Sequence, residues 1–176
     1  MNKLNTSLTV VWSILLLAGC SHNQPPNQKL ASQVDIEAFM GTWYVHGYTP
    51  TMIDQDAWSG TETYERLDNG KIKTTYQFRK GSPDGKLKTY HPVGRVVNTD
   101  TNAEWRMRFF GIISAAYYIL YVDADHQYTV IGHPNKRYAW IMSREASIGQ
   151  EKYASLRDEL VERDYDLSSF ERMQHE

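Results

Sequence analysis

The sequence predicts an all-β antiparallel fold, a sandwich or a barrel, closed by one late helix. Roughly eight short strand signals follow one another at regular spacing, with polar turns between them. No helical pattern interrupts that run, which argues against a parallel sheet of βαβ units. A single amphipathic helix comes only after the last strand.

In chain order the first feature is apolar. Leu8 to Ala18 is almost wholly hydrophobic, and Lys3 is the one charged side chain before Cys20. A membrane-spanning helix needs roughly 20 apolar residues to cross about 30 Å of hydrocarbon. This run is shorter, starts basic and ends in small residues, so residues 1–19 read as a secretory signal peptide. Cys20 is the only cysteine, so it has no disulfide partner within the chain and no second thiol serves catalysis or metal binding. Residues 20–33 carry Pro25-Pro26 with Asn and Gln, the composition of an exposed tether. Residues 34–176 then suit one domain.

The strands follow. Trp43 to Tyr48 is aromatic and β-branched, and Thr61 to Tyr64 comes after a loop. Asn69-Gly70 is the strongest short hairpin signal. Ile72, Thr74, Tyr76 and Phe78 alternate with Lys71, Lys73, Thr75, Gln77 and Arg79, so one face is dry. Ser82-Pro83-Asp84-Gly85 turns the chain into Leu87 to Val97, and Asn98 to Asn102 turns it again. Trp105, Met107 and Phe109 alternate with Glu104, Arg106 and Arg108. Tyr117 to Val122, Tyr128 to Ile131 and Arg137 to Met142 complete the set, separated by turns at Asp123 to Gln127 and His133 to Lys136. Ser147 and Gln150 are spaced as a capping box. Tyr153, Leu156, Leu160 and Val161 then give the helix an apolar stripe to lay on the sheet.

Two sets of residues carry resemblances. Leu17-Ala18-Gly19-Cys20 resembles the lipobox of bacterial lipoproteins, which implies cleavage before Cys20 and lipidation of its sulfur and new amino group. More than one acyl chain is what holds a protein stably to a membrane. Ser21, rather than Asp, resembles the sorting pattern for the outer membrane. Gly41-Thr42-Trp43-Tyr44 resembles the G-x-W-Y opening of lipocalins, and Tyr138 to Arg144 resembles their Y-L-W-I-L-S-R segment. Phe109-Phe110-Gly111 and Gly132-His133-Pro134 are similar to motifs of the bacterial outer-membrane lipocalins.

That resemblance implies an eight-stranded antiparallel up-and-down barrel with the helix outside. It implies that Trp43 closes one end with Arg144 across its ring, and that Gly41 lets the chain approach closely there. It also implies a lipid-anchored protein of the bacterial outer membrane that stores or transports a fatty acid or lysophospholipid. A barrel of eight strands encloses room for one small ligand. Alternation points Tyr76, Phe78, Trp105, Met107 and Phe109 inward, and Tyr138, Trp140 and Met142 share the face of Arg144. Val45 and Gly47 should share the face of Trp43. Lys136 and Arg137 are candidates for a phosphate or carboxylate at the mouth. The chain departs from the family at Asp125-His126 and at Ile113 to Ala116, where the family carries Asp-Tyr and a glycine-rich stretch.

Other functions find less support. The formal net charge is −2, with no basic excess to hold nucleic acid. The six histidines show no metal-ligand spacing, and no G-x-S-x-G elbow appears. No cofactor and no catalytic residue is expected. The alternatives are an envelope protein that holds a partner without a ligand, or a lipid-modifying enzyme. A homodimer is left open, since a closed barrel has no free strand edge to offer.

Overall fold

The computed structural model describes residues 27–175; the signal segment and Cys20 lie outside the described residues. The order is α1 (Ile36–Phe39), β1 (Gly41–Tyr48), β2 (Ala57–Arg66), β3 (Ile72–Lys80), β4 (Leu87–Tyr90), β5 (Val93–Asn98), β6 (Glu104–Phe109), β7 (Ile113–Val122), β8 (Tyr128–Gly132), β9 (Ala139–Ser143), α2 (Gln150–Val161) and β10 (Glu171–Arg172). Each strand pairs antiparallel with its neighbour, and β1 pairs with β9, which closes the sheet into a barrel. The barrel has eight staves because β4 and β5 both lie on β3 and form one.

That stave was expected as a single strand from Leu87 to Val97. His91-Pro92 divides it, because proline has no N–H to give the ladder. The Pro92 carbonyl still accepts from Thr74 N–H at 3.0 Å, so the strand on β3 continues past the break. The Asn69-Gly70 hairpin forms as expected, with Gly70 at φ +75°. The Ile113 to Ala116 departure leaves no bulge: β7 pairs with β6 regularly from Ile113 to Tyr118.

A bulge falls elsewhere. The β1–β9 register shifts between Val45 and Gly47, placing one extra residue there. Val45 stays in the inner core, but Gly47 turns outward, where an added Cβ would stand 2.8 Å from the Phe170 ring and 2.9 Å from the Tyr153 hydroxyl. The expected inward Gly47 is therefore corrected. Tyr48 returns to the inner face.

Two cores result. Inside the barrel Phe39, Trp43, Val45, Tyr64, Phe78, Trp105, Ile131 and Met142 pack together. Outside, Tyr118, Leu120, Val130 and Ile141 receive Ile148, Tyr153, Leu156 and Leu160 of the helix. The capping box does not form. The helix begins three residues beyond Ser147, with Gly149 as its N-cap, so Gln150 is its first residue and is bonded to Arg172 instead. Ile148 and Tyr153, just before the cap and one turn in, meet in the outer core as a hydrophobic staple. Val161 was expected in the stripe but is exposed, lying one helical step past Leu160.

The C-terminus enters the wall. In its lower half β1 pairs with β2, from Gly41↔Tyr64 to Tyr44↔Thr61. Higher up, β10 takes that place, with Gly47↔Arg172 and Tyr48↔Glu171, and Ser59 N–H donates to the Gln174 carbonyl at 2.8 Å. The Met173 side chain is buried in the inner core.

Candidate functional site

The topology fixes two ends. The turns β1–β2, β3–β4, β6–β7 and β8–β9 gather at one end, and α1, the other turns and Arg144 at the opposite one. At the second end the α1 N-cap, Asp35, accepts from Glu37 and Ala38 N–H and turns the chain across the barrel floor. Phe39 and Trp43 are fully buried there, 4.9 Å apart between ring centroids. The Trp43 indole N–H donates to the Phe39 carbonyl at 2.9 Å.

Arg144 covers this floor. Its guanidinium carbon lies 3.8 Å from the centroid of the Trp43 ring. Its Nη2 donates to the Ala38 and Met40 carbonyls at 2.8 and 2.7 Å, Nη1 to Thr42 at 2.9 Å, and Nε to His126 at 3.2 Å. His126, where the chain departs from the family pattern, holds φ +52° in its turn and so aims that carbonyl. Gly41 sits at φ +93°, and an added Cβ would reach 3.4 Å from Nη1. The three residues Gly41, Trp43 and Arg144 thus meet at one end, away from the mouth.

The expected lining divides by depth. Phe78, Trp105 and Met142 have no water-accessible surface, and Tyr76 and Met107 have almost none. Trp105 stacks on Tyr117 at 5.6 Å. These side chains belong to the one inner core cluster. Trp140 and Phe109 are half-buried and pack on the inner core. Tyr138 precedes β9, is half-buried, and meets His133 edge-on at 6.2 Å at the mouth. Lys136 is drawn to the outer wall, where Nζ lies 3.7 Å from Asp164, and Arg137 is exposed. One cation that the register places on the inner face near the mouth is Lys88, opposite Phe78 in the β3–β4 pairing.

Sequence reading missed a polar group inside. Glu62 pairs with Trp43 on one side and Tyr76 on the other, so it shares their inner face. Tyr64 donates to the Glu62 carboxylate, and with that proton committed Tyr117 donates to Tyr64 at 2.6 Å. Burial, with the nearby Asp54 charge adding to it, pushes the Glu62 carboxyl up to about 7. Burial likewise raises the Tyr64, Tyr76 and Tyr117 hydroxyls well above their usual value. Asp54 comes from the β1–β2 loop, which the sequence left unread. It is 2% exposed and accepts from Tyr76 at 3.0 Å and from the Thr51 N–H and hydroxyl at 2.6 Å each. The loop is thereby latched into the mouth. Around it Met52, Phe110, Ile112 and Ile113 stand exposed. The signal for Glu62 was its spacing: Tyr64, two residues on, belongs to the same face.

A second polar pair bears on enzyme chemistry. His46 Nε2 lies 2.8 Å from Ser143 Oγ, and both are buried. The same nitrogen lies 3.0 Å from the Glu145 carbonyl, which can only accept. Nε2 therefore carries the hydrogen and donates, so it is not placed to take a proton from Ser143. Burial, then the neighbouring His175, lowers the His46 pKa to about 4.

The model of the lipocalin-like domain matches residues 34–175. The chain is 26% identical over 151 residues to temperature-induced lipocalin-1 of Arabidopsis thaliana, covering 79% of this chain and 78% of that one. It is 24% identical over 158 residues to the outer membrane lipoprotein Blc of Escherichia coli K12, covering 88% of each. Insecticyanin of the tobacco hornworm Manduca sexta superposes with a TM-score of 0.63 at 18% identity over 85% of each chain. With the closed barrel, the outer helix and the Trp43–Arg144 floor on the same residues, the chain belongs to the lipocalin-like family.

Proposed function

We propose that this chain is a membrane-tethered carrier that holds a single-chain lipid, a fatty acid or lysophospholipid, in its barrel for storage or transport in the bacterial envelope. Residues 1–19 direct export, lipidated Cys20 anchors residues 20–33 to the outer membrane, and residues 34–176 carry the ligand. The observation that carries this reading is the gradient inside the barrel. The floor is sealed by Trp43 and Arg144, whereas Phe109, Tyr138 and Trp140 near the mouth stay half-buried. A closed, largely apolar barrel open at one end suits one elongated apolar molecule. Lys88 offers a charge partner to an acidic head near the mouth. The kinship with an outer membrane lipoprotein supports the location.

A second reading has its own observation. Val45, Phe78 and Trp105 have no accessible surface, as in a barrel that is simply filled. Titrating residues 21–176 with fatty acids, lysophospholipids and a double-chain phospholipid, followed by tryptophan fluorescence, separates the two. Saturable one-to-one change with single-chain lipids, lost on Trp140→Glu in a folded variant, supports the carrier. No response from folded protein would put the ligand-free envelope protein first.

A further inference from the structure

The deep polar group is not needed to seal the floor, which Trp43 and Arg144 already close. It is also an unusual thing to bury. A carboxyl in an apolar interior costs free energy unless its lone pairs are used. Tyr64 uses one oxygen of Glu62. Trp43 and Tyr64, which flank Glu62 on the inner face, are 0% and 1% exposed, yet Glu62 itself keeps intermediate accessible surface while enclosed by the wall. Surface on an inward, enclosed side chain faces a space within the barrel. A second polar side chain stands on the same face one rung nearer the floor. Thr74 lies opposite Tyr64 in the β2–β3 register, diagonal to Glu62, and shares its face with Ile72 and Tyr76. It is 1% exposed, and its hydroxyl has no hydrogen-bond partner. Buried polar atoms are rarely left unpaired.

We propose that Glu62 and Thr74 form a subsite for a hydrogen-bond donor at the buried end of the ligand, so that the barrel takes a single-chain lipid ending in a hydroxyl in preference to one ending in a methyl. The inference rests on the carrier reading and narrows it. The ligand's acidic head stays near Lys88 at the mouth, and its far end reaches the subsite. An apolar pocket would disfavour a terminal hydroxyl, because that group must shed its water without a partner. Here the free lone pairs of Glu62 and the Thr74 hydroxyl receive it. A second carboxylate in the same place would meet the Glu62 and Asp54 carboxyls and be repelled.

The test uses residues 21–176, which contain every element of the closed barrel. Its probes are dodecanoate, 12-hydroxydodecanoate and dodecanedioate, each titrated at pH 8 by tryptophan fluorescence below its micelle concentration. The subsite predicts that the hydroxy acid binds about tenfold tighter than dodecanoate and that the diacid binds weakest. Glu62→Leu should reverse the first preference. Glu62→Gln, which keeps the side chain's size and its acceptor for Tyr64, should restore the diacid at least several-fold even where the leucine variant fails to fold. Dodecanoate binding as tightly as the hydroxy acid, with Glu62→Gln leaving the diacid unchanged, overturns the subsite and leaves the carrier standing. Binding of none of the three by folded protein overturns both.

Discussion

Arg144 lies over the Trp43 ring and hands its donors to four backbone carbonyls, those of Ala38, Met40, Thr42 and His126. The residue thus ties α1, β1 and the β7–β8 turn into one floor. A cation on an indole face is worth about 0.5–2 kcal/mol, and each bond to a charged donor about 1.5–3 before the carbonyls recover water. Arg144→Ala should lower stability by about 2–4 kcal/mol, read as a drop in the urea midpoint at unchanged slope. Arg144→Lys keeps the charge but not the planar fork, and should recover less than half of the loss. A midpoint within experimental error of wild type for Arg144→Ala would mean the floor holds without it.

This floor was legible because both of its ends carry family motifs and because Trp43 and Arg144 are costly residues to place at random. The alternation of β3 and β6 was legible for a simpler reason: each strand has one dry face. What escaped reading is where phase changes or where position depends on distant chain. The bulge after Val45 turns Gly47 outward, and nothing in Gly-x-W-Y marks it. Glu62 looks like a solvent residue in a strand until the strand is placed between Trp43 and Tyr76. Helix α1 spans Ile36–Phe39 and β10 only Glu171–Arg172, so neither shows a period. The Ser147–Gln150 spacing was correct for a capping box, but the burial of Ile148 set the helix start instead.

Glu62 should make the protein less stable at neutral pH than its amide would. Its folded pKa, about 7, lies above the ordinary value of 4.5. Below about 4.5 both folded and unfolded forms hold the proton, and nothing is lost. Between 4.5 and 7 the unfolded chain releases its proton first, so stability falls as pH rises through this window. Glu62→Gln should therefore raise the unfolding midpoint at pH 8, by a free energy on the order of 2 kcal/mol, and leave it nearly unchanged at pH 4. Thermal melts of both proteins at the two pH values check this; an equal effect at both would show that ionisation of Glu62 is not the cause.

His46 should act in the opposite direction. Its folded pKa, about 4, lies below the ordinary 6.5, because burial and His175 disfavour the cation. His175 is shifted the same way by burial. Above 6.5 the folded and unfolded chains are both neutral here, and the full stability is present. As pH falls from 6.5 toward 4 the unfolded chain gains protons first, and stability drops. His46→Gln should flatten that part of the profile, reducing the loss between pH 7 and pH 5 by about 1 kcal/mol. Urea midpoints across this range give the slope directly, and a profile as steep as wild type would assign the acid loss to other groups.

The last relationship lies where the C-terminus enters the wall. Gly60 N–H donates to Met173 Sδ at 3.0 Å, and an added Cβ at Gly60 would stand 2.6 Å from that sulfur and 3.1 Å from the methyl. The sulfur belongs to a flexible side chain, so it can move, but Met173 is 3% exposed and has packed neighbours to leave. Gly60→Ala should then cost about 1–3 kcal/mol by overpacking, and Met173→Ala about 2–4 kcal/mol by the cavity it leaves. The two changes remove each other's problem: without the methionine, the new methyl enters space instead of a sulfur. The double variant should be more stable than the sum of the single losses by at least 1 kcal/mol, the sign expected for residues in direct contact. Strict additivity would mean that the C-terminal segment is not seated between β1 and β2 in solution, and Arg172 and Gln174 would lose their strand partners with it.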